Sequence, residues 1–553
     1  MPVWDFSACL GLLWDFSEAI SLDPAGWGSV CWGMDQRSVA SLSRPSAYPE
    51  PTASVSLLQT HISYLFLTDE HVYKVKKAVD LGFLDFSTLD RRRFFCDEEV
   101  RLNRRLCPDL YLGVVEVKES PTGATFTGTG NVIDYAVKMK RLPAERMLDT
   151  LLAAGEVTDN DMRRIARTIA RFHLEAERGA EIDIYGGMDC IRHNWEENFP
   201  QIEAVLGTGP LSEDLRLIRE WGVAFLESHA DLFARRVGEG RIRDCDGDIH
   251  LENICLADRI YIFDCLEFNN RFRYSDVAAD IAFLLMDLDF HRQGPMGKAF
   301  LDEYIAATGD RGATGVLDYY KMYRAVVRGK VESIRQRDPQ IPADERSEAR
   351  EKAFRYFRLA KGYVLRNRLP RSLVITCGLP GTGKSTLAAE LAYDLGVATL
   401  SSDRVRKELA GIAPDTRVPV AYGEGIYSAA ASEATYRELL ARADAVLGAG
   451  ASVLVDASFR RKCDRVLFHA LAKRHGVPMF VVRTTCPEDL IEQRLGHRAE
   501  RPGEVSDGRW DLFHRQQAEF EMPGPNEGIP IDVDTSRPIA DCLAVVFREL
   551  GVL

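Results

Sequence analysis

The chain has 553 residues, 46% apolar and 28% charged, and its 83 acidic side chains outnumber 70 basic ones to leave a net charge of −13. That length exceeds one hydrophobic core and predicts roughly two to four domains, while no apolar run approaches the roughly 20 residues of a membrane helix. The acidic balance disfavours nucleic acid as an obligatory partner, because its phosphates are bound chiefly through clustered Lys and Arg. The twelve cysteines stand singly, without CxxC pairs or nearby His at ligand spacing. Neither a metal cage nor a disulfide framework is indicated, and reduced thiols in the cytoplasm are expected.

Residues 1–36 contain no Lys or Arg, hold four of the seven Trp and repeat WDFS at 4–7 and 14–17. They lack the basic start of a signal peptide. Residues 1–44 are expected to be a poorly ordered extension, with Met34 as an alternative start and a small docking segment as the competing reading. RPSAYPEPTAS (44–54) reads as a linker.

A first lobe is expected over 45–142. There the β-type runs YLFLT, HVYKVKK and VIDYAVKMK surround one helical segment, LDRRRFFCDEEVRLNRRL, the pattern of a small sheet packed with one helix. Residues 143–366 turn mainly helical, with candidates at 159–176, 213–234, 276–289, 316–336 and 343–366 and short strands near 240–243 and 259–263. The polar stretch RNRLPRS (366–372) then separates this region from a last domain, 372–553, entered by the strand LVITC.

Within the helical region, DGDIHLEN (246–253) is followed by a strand and FDCLEFN (263–269). An Asp five residues before an Asn, then an Asp after the next strand, is the carboxylate layout of protein-kinase-like phosphotransfer. Asp248 would orient and deprotonate an acceptor hydroxyl, while Asn253 and Asp264 would bind Mg²⁺. Upstream, Lys74 in HVYKVKK is expected to hold the α- and β-phosphates and to pair with Glu99 on the following helix. Lys76 lies on the same strand face, which leaves the register of that assignment open by one repeat.

In the last domain GLPGTGKST (378–386) follows an apolar strand and opens a helix that ends at Gly396, the context of a true phosphate loop. Gly378, Gly381 and Gly383 let backbone N–H groups curl around phosphate, with Thr386 closing the motif. Lys384 reaches the β- and γ-phosphates and Ser385 ligates Mg²⁺. VATLSSD (397–403) delivers Asp403, a candidate acceptor of the substrate hydroxyl proton, with Arg406 to hold an anionic group. SVLVDASF (452–459) ends its strand in Asp456, which is expected to reach Mg²⁺. Ala457 stands where hydrolytic ATPases usually carry Glu, pointing to transfer onto an acceptor. Arg494, Arg498, Arg501 and Arg509 form a candidate lid, with Arg494 the leading choice.

Through GLPGTGKST, SSDRVR, VDASF and the RL…R…R segment, the last domain resembles small P-loop kinases that group polynucleotide 5′-kinases with zeta-toxin-like and gluconate-kinase-like enzymes. Through VYKVKKAVDLGFLDFSTLDRRRFF, DGDIHLEN, FDCLEFN and RFRYSDVAADIAFLLMDL, the preceding part resembles aminoglycoside-phosphotransferase and fructosamine-kinase domains. That family usually has His directly before Gly-Asp, where this chain has Asp246.

The resemblance implies a bilobal protein-kinase-like fold of mixed α+β type, followed by an α/β P-loop fold with a helix-flanked parallel sheet. It also implies ATP, Mg²⁺ and a small-molecule hydroxyl acceptor. Polynucleotide 5′-hydroxyl kinase activity and an ATP-binding regulator with a weakened first site remain the alternatives. Oligomeric state is not legible from the sequence.

Overall fold

The computed structural model describes residues 34–553, leaving aside 61, 83, 208, 210, 340, 414–415, 417–423 and 501–509 and the side chains of 498–500, 511 and 512. The repeated WDFS and the positions Arg501 and Arg509 lie outside the described residues. Residues up to Lys361 form one compact unit and Gly362–Leu553 another, the division falling inside the helix Ala343–Arg368. No helix among the described residues is long and apolar enough to cross a membrane.

The first unit opens with a six-stranded antiparallel sheet built from β1 (Ser56–Gln59), β2 (Ser63–Leu67), β3 (His71–Lys76), β4 (Tyr111–Ser120), β5 (Gly123–Thr125) and β6 (Val132–Lys140), in the order β1-β2-β3-β6-β4-β5. The two-residue side-chain period of β3 sends Tyr73 and Val75 into an apolar cluster with Phe66, Val117 and Ala136. Lys74 and Lys76 therefore face the opposite side. On that side lies the helix Leu89–Asn103, capped by Thr88. A buried ion pair from Arg92 to Asp134 of β6, at 2.8 Å, ties this helix to the sheet.

The linker expected at 44–54 is corrected here, and so is the end of the expected extension, over 35–44. Asp35 caps a helix, Gln36–Leu42, and a short 3₁₀ turn follows at Pro45–Ala47. Leu42, Ala47 and Tyr48 are buried in the apolar cluster of the sheet, and the Tyr48 ring lies 4.9 Å from that of Tyr73. The Ser41 hydroxyl exchanges hydrogen bonds with the backbone of Ala124. Proline and serine content suggested solvent exposure, but three apolar side chains at suitable spacing cover a sheet face that would otherwise be wet.

Beyond the sheet the unit is mainly helical. Its helices include Asp159–Glu175, Val277–Phe290, Thr314–Arg335 and Ala343–Arg368, and the candidate at 213–234 divides at His229 into Ser212–Ser228 and Ala230–Gly238. Two small antiparallel pairs interrupt them: β7 (Ile242–Asp244) with β10 (Tyr274–Asp276), and the hairpin of β8 (Ile254–Leu256) and β9 (Ile260–Ile262).

The second unit has a P-loop NTPase-like fold, a five-stranded parallel sheet flanked by helices. Its strands are β11 (Leu373–Cys377), β12 (Ala398–Ser401), β13 (Val453–Asp456), β14 (Met479–Thr485) and β15 (Ile529–Asp534), ordered β12-β13-β11-β14-β15. Alternation again sets the layers. Val374, Leu454 and Val482 pack on Leu387 and Leu391 of one helical layer, while Ile375, Val455 and Val481 pack on Leu439 and Phe468 of the other. With both faces covered, the strand C-termini form the open edge where ligands bind in such sheets.

Candidate functional site

In the first unit, the β8–β9 hairpin closes the distance between the two acidic motifs. The Phe263 N–H donates to the Asn253 carbonyl at 3.1 Å and the Leu266 N–H to the Asp246 carbonyl at 3.1 Å, so Asp248, Asn253 and Asp264 belong to one bonded loop cluster. Asn253 Nδ2 donates to Asp248 Oδ2 at 3.1 Å and to the Asp248 carbonyl at 3.0 Å. Asn253 Oδ1 is thus the atom it can present to a cation. Asp264 takes a left-handed backbone with φ of 67°, a conformation disfavoured for a residue with a Cβ. Neighbouring groups hold it there: its N–H donates to Tyr111 Oη at 3.1 Å, and the Cys265 N–H donates to Asn103 Oδ1 at 2.9 Å.

Lys74 Nζ sits 2.9 Å from Glu99 Oε1 and 2.7 Å from Asp264 Oδ1. The expected Lys74 and Glu99 pair is therefore present and joined to the expected metal carboxylate. Lys76 shares Glu99 through Oε2 at 2.6 Å and contacts Glu267 on its other side. Burial disfavours the charge on Lys74, but Asp264 and Glu99 more than offset it and raise its pKa.

Lys74, Asp264 and Glu267 line a cavity walled by Leu65, Val72, Met139 and Phe263, its empty space about 730 Å³ when counted out into open solvent. Apolar walls with a lysine and a carboxylate at one end suit a flat base followed by phosphates. The two lysines divide the strand face: Lys74 reaches the cavity, whereas Lys76, 1% exposed, is fixed behind it. Sequence reasoning missed Glu267, although its position three residues after Asp264 beside a two-lysine strand was a signal.

The loop around Asp248 is braced by a buried carboxylate, Asp280. The N–H groups of Asp246 and Gly247 donate to the two oxygens of Asp280, at 3.1 and 2.8 Å. Asp280 is held in turn by His173 Nε2 at 3.0 Å, and His173 Nδ1 by the Tyr304 hydroxyl at 2.8 Å. Asp246 Oδ1 accepts from the Asp248 N–H at 3.2 Å. Burial, and then the Asp280 charge beside it, push the Asp246 carboxyl well above the usual range. Burial also opposes charge on Asp280, but the His173 contact holds it below that range. A proton on this pair is therefore favoured on Asp246 over Asp280. His250, fully buried, approaches Asp248 Oδ2 at 3.6 Å.

In the second unit, Gly378, Gly381 and Gly383 all take positive φ, 148°, 78° and 79°. The loop has no room for a side chain at Gly378, where a Cβ would lie 2.7 Å from Thr484 Oγ1 and 2.8 Å from the Thr484 carbonyl. Helix Lys384–Leu395 begins directly behind Gly383, so Ser385 and Thr386 lie in its first turn. Gly396 ends it in the left-handed region, as expected. Lys384 Nζ donates to the Leu379 carbonyl at 2.7 Å, folded across its own loop. Asp456 stands at the end of β13 beside β11, its Oδ1 accepting from Thr376 Oγ1 at 3.0 Å.

The remaining predicted residues fall into two groups. Asp403 lies in the first turn of helix Ser402–Leu409 and pairs with Arg406 at 3.0 Å, whose guanidinium stacks 4.8 Å above the Tyr427 ring. Neither is among the residues lining the cavity at the loop. Arg494 does line it, donating to Thr535 Oγ1 at 3.1 Å and to the Thr535 carbonyl at 2.7 Å. Thr535 and Arg537, just after β15, also line this cavity, whose empty space is about 1100 Å³ when counted out into open solvent. Sequence reasoning passed over them because DTSRP carries no chemistry by residue type alone.

The model of the AAA domain family matches residues 373–523. Uncharacterized protein Rv2004c of Mycobacterium tuberculosis (strain ATCC 25618 / H37Rv) is 31% identical over 486 residues, spanning 86% of this chain and 93% of the relative. Uncharacterized protein Mb2027c of Mycobacterium bovis matches with the same identity and coverage. Among solved structures, a sugar kinase from Janibacter sp. HTCC2649 is 20% identical, covering 33% of this chain and 96% of its own, with a TM-score of 0.26. The M. tuberculosis APS kinase CysC, in complex with AMPPNP and APS, is also 20% identical and covers 33% of this chain and 98% of its own, with a TM-score of 0.24. By the extent and identity of this match, the chain belongs to the family of Rv2004c and Mb2027c.

Proposed function

We propose that the chain is an ATP-dependent phosphotransferase with two kinase sites, one in each unit, acting on the hydroxyl of a small molecule. The observation that carries the first site is the single cluster in which Glu99 holds Lys74, Lys74 meets Asp264, and Asp264 is bonded through the β8–β9 hairpin to Asn253 and Asp248. This is a bilobal protein-kinase-like arrangement of the aminoglycoside-phosphotransferase or fructosamine-kinase type, with the sheet as one lobe and the helices as the other. For the second site, the support is the glycine-rich loop with Lys384, Ser385 and Asp456 at the strand ends of a parallel sheet.

In the first site Lys74 binds the α- and β-phosphates, and Glu99 keeps its ammonium from turning away. The hard oxygen donors Asp264 and Asn253 fit Mg²⁺, and the Lys74 ammonium now stands against the same carboxylate. Bound there, Mg²⁺ supplies neutralisation of the triphosphate charge. Asp248, oriented by Asn253 and by the braced loop, accepts the proton of the attacking hydroxyl. The Asp280 brace supports a competent loop despite Asp246.

In the second site Lys384 would leave the Leu379 carbonyl for phosphate. Asp403 would accept the hydroxyl proton, Arg406 would hold the acceptor and Arg494 would close over the nucleotide. Ser385 and Asp456 are again hard oxygen donors that suit Mg²⁺.

The test is transfer from labelled ATP to a metabolite panel by the full chain, by Asp248→Asn, by Lys384→Ala and by the double variant. Each single variant should remove a distinct set of labelled products. ATP binding without transfer to any compound refutes the enzyme reading; loss in only one variant confines chemistry to that unit.

A further inference from the structure

The first unit contains a second cleft, whose empty space is about 530 Å³ when counted out into open solvent, lined by Asn194, Arg271, Phe272, Tyr274, Tyr323 and Arg324 among others. It borders the loop that carries Asp248. A Cβ built on Gly247 would lie 3.1 Å from the Phe272 carbonyl. On the other flank the guanidinium of Arg324 lies 4.9 Å over the Phe283 ring, which is 5.0 Å from the His250 ring, and His250 reaches Asp248 at 3.6 Å.

The charges around this cleft balance except for one. Arg271 is matched by Glu197 through two bonds, at 2.9 and 3.0 Å. Asp276 is matched by Arg236, which takes both of its oxygens at 2.5 and 2.6 Å. Arg324 is 3% exposed, and its Nε donates to the Ala279 carbonyl at a long 3.4 Å. Its Nη groups make neither a hydrogen bond nor an ion pair with any described residue. The Arg324 charge helps to hold the Asp280 carboxyl low, but the Asp280 oxygens are bonded to His173 and to the N–H groups of Asp246 and Gly247, not to Arg324. A guanidinium withdrawn from water with no acid bonded to it is costly on its own and favours a site that receives an anion.

We propose that this cleft is the acceptor subsite of the first unit and takes a small hydroxyl compound bearing one carboxylate or phosphate. Arg324 grips the anion with its two Nη groups, and the half-buried rings of Tyr274 and Tyr323 flank the carbon skeleton. The hydroxyl is then directed past Phe272 towards Asp248. The proton leaves the hydroxyl for the Asp248 carboxylate as the new P–O bond forms and the bond to the ADP leaving group breaks. This assignment rests on the kinase reading of the first unit.

The test uses the full chain carrying Lys384→Ala, so that the phosphate loop of the second unit does not compete as an anion site. Calorimetric titration compares D-glucuronate and D-ribose 5-phosphate with glucose and ribose. At least one charged compound is expected to bind, and its neutral counterpart to bind about tenfold or more weakly. Arg324→Gln should lose that preference and Arg324→Lys should keep part of it, with ATP binding to each variant reporting an intact fold. If Arg324→Gln no longer binds ATP, Arg324→Lys and the charged-versus-neutral comparison decide.

Equal binding of neutral and charged compounds, no binding of either anion, or undiminished anion affinity in a folded Arg324→Gln overturns the proposal. Binding of the anion through Arg324 without Asp248-dependent transfer would instead leave the subsite standing and remove the kinase reading. Asp248-dependent transfer to neutral acceptors, insensitive to Arg324, would do the reverse.

Discussion

Replacing Lys76 and Lys74 separately by Met, in a Lys384→Ala chain so that only the first unit binds ATP, separates a structural cation from a ligand-binding one. Lys76 is fully enclosed between Glu99 and Glu267, and burial already raises the pKa of Glu267 against the opposing effect of Lys76. Removing Lys76 leaves Glu267 without its closest cation. Breaking a buried pair in this way costs about 3–5 kcal/mol. For a unit of this size that corresponds to a fall in melting temperature of about 4–7 °C.

Lys74→Met leaves Glu99 still paired with Lys76, so its stability cost should stay below about 2 kcal/mol. It removes the cation that lines the proposed nucleotide cavity, however, and losing a charge-assisted bond worth about 1.5–3 kcal/mol would weaken ATP binding by about 10- to 150-fold. Thermal unfolding by circular dichroism and titration with a fluorescent ATP analogue in the presence of Mg²⁺ measure the two effects. If Lys76→Met melts like its parent and loses ATP while Lys74→Met keeps it, the assignment of the lysines is reversed and the reasoning fails.

Asp248→Asn in the same background should lower phosphotransfer by about 10²- to 10⁴-fold while leaving ATP affinity unchanged; a parallel loss of affinity would show that Asp248 holds the fold of the loop instead. Gly378→Ala should abolish ATP binding by the second unit, because the new methyl meets Thr484 at 2.7–2.8 Å; retained binding, measured in an Asp248→Asn, Lys74→Met chain, would show that the loop can shift. Lys330 is buried against Gln201 Oε1 at 2.8 Å, and burial pushes its pKa down to about 7. Between about pH 7 and 10.5 the unfolded state therefore binds more protons than the folded one, and Lys330 makes stability rise with pH across that window. Lys330→Met should remove that slope and stabilise the protein most at pH 7 and below, by up to about 3 kcal/mol after the lost bond to Gln201 is set against the removed charge. Urea unfolding at pH 6 and 9 checks it: an unchanged difference between the two pH values in the variant would contradict the assignment.

Much of the candidate chemistry was legible because it depends on residue type at short spacing. A phosphate loop needs glycines where backbone approaches phosphate, and GLPGTGKST shows them between an apolar strand and a helix; the positive φ values of Gly378, Gly381 and Gly383 follow from that demand. Asp248, Asn253 and Asp264 were readable for the same reason, since one short hairpin connects them. Composition misled at 44–54, where Pro and Ser suggested a linker while Ala47 and Tyr48, with Leu42 just before them, pack into an apolar cluster that only the folded sheet creates.

The division of labour between Lys74 and Lys76 was beyond the sequence, because both share one face of β3 and only the positions of Glu99, Asp264 and Glu267 distinguish them. Asp280 as the brace of the Asp248 loop, and Arg324 as a buried cation with no acid bonded to it, were likewise invisible. Each depends on which side chains are brought close across more than thirty residues of chain, and on which of their charges are already matched. Local spacing determines which groups could act on phosphate; tertiary packing decides which of them are desolvated, paired or left facing a cavity, and so where a substrate would be held.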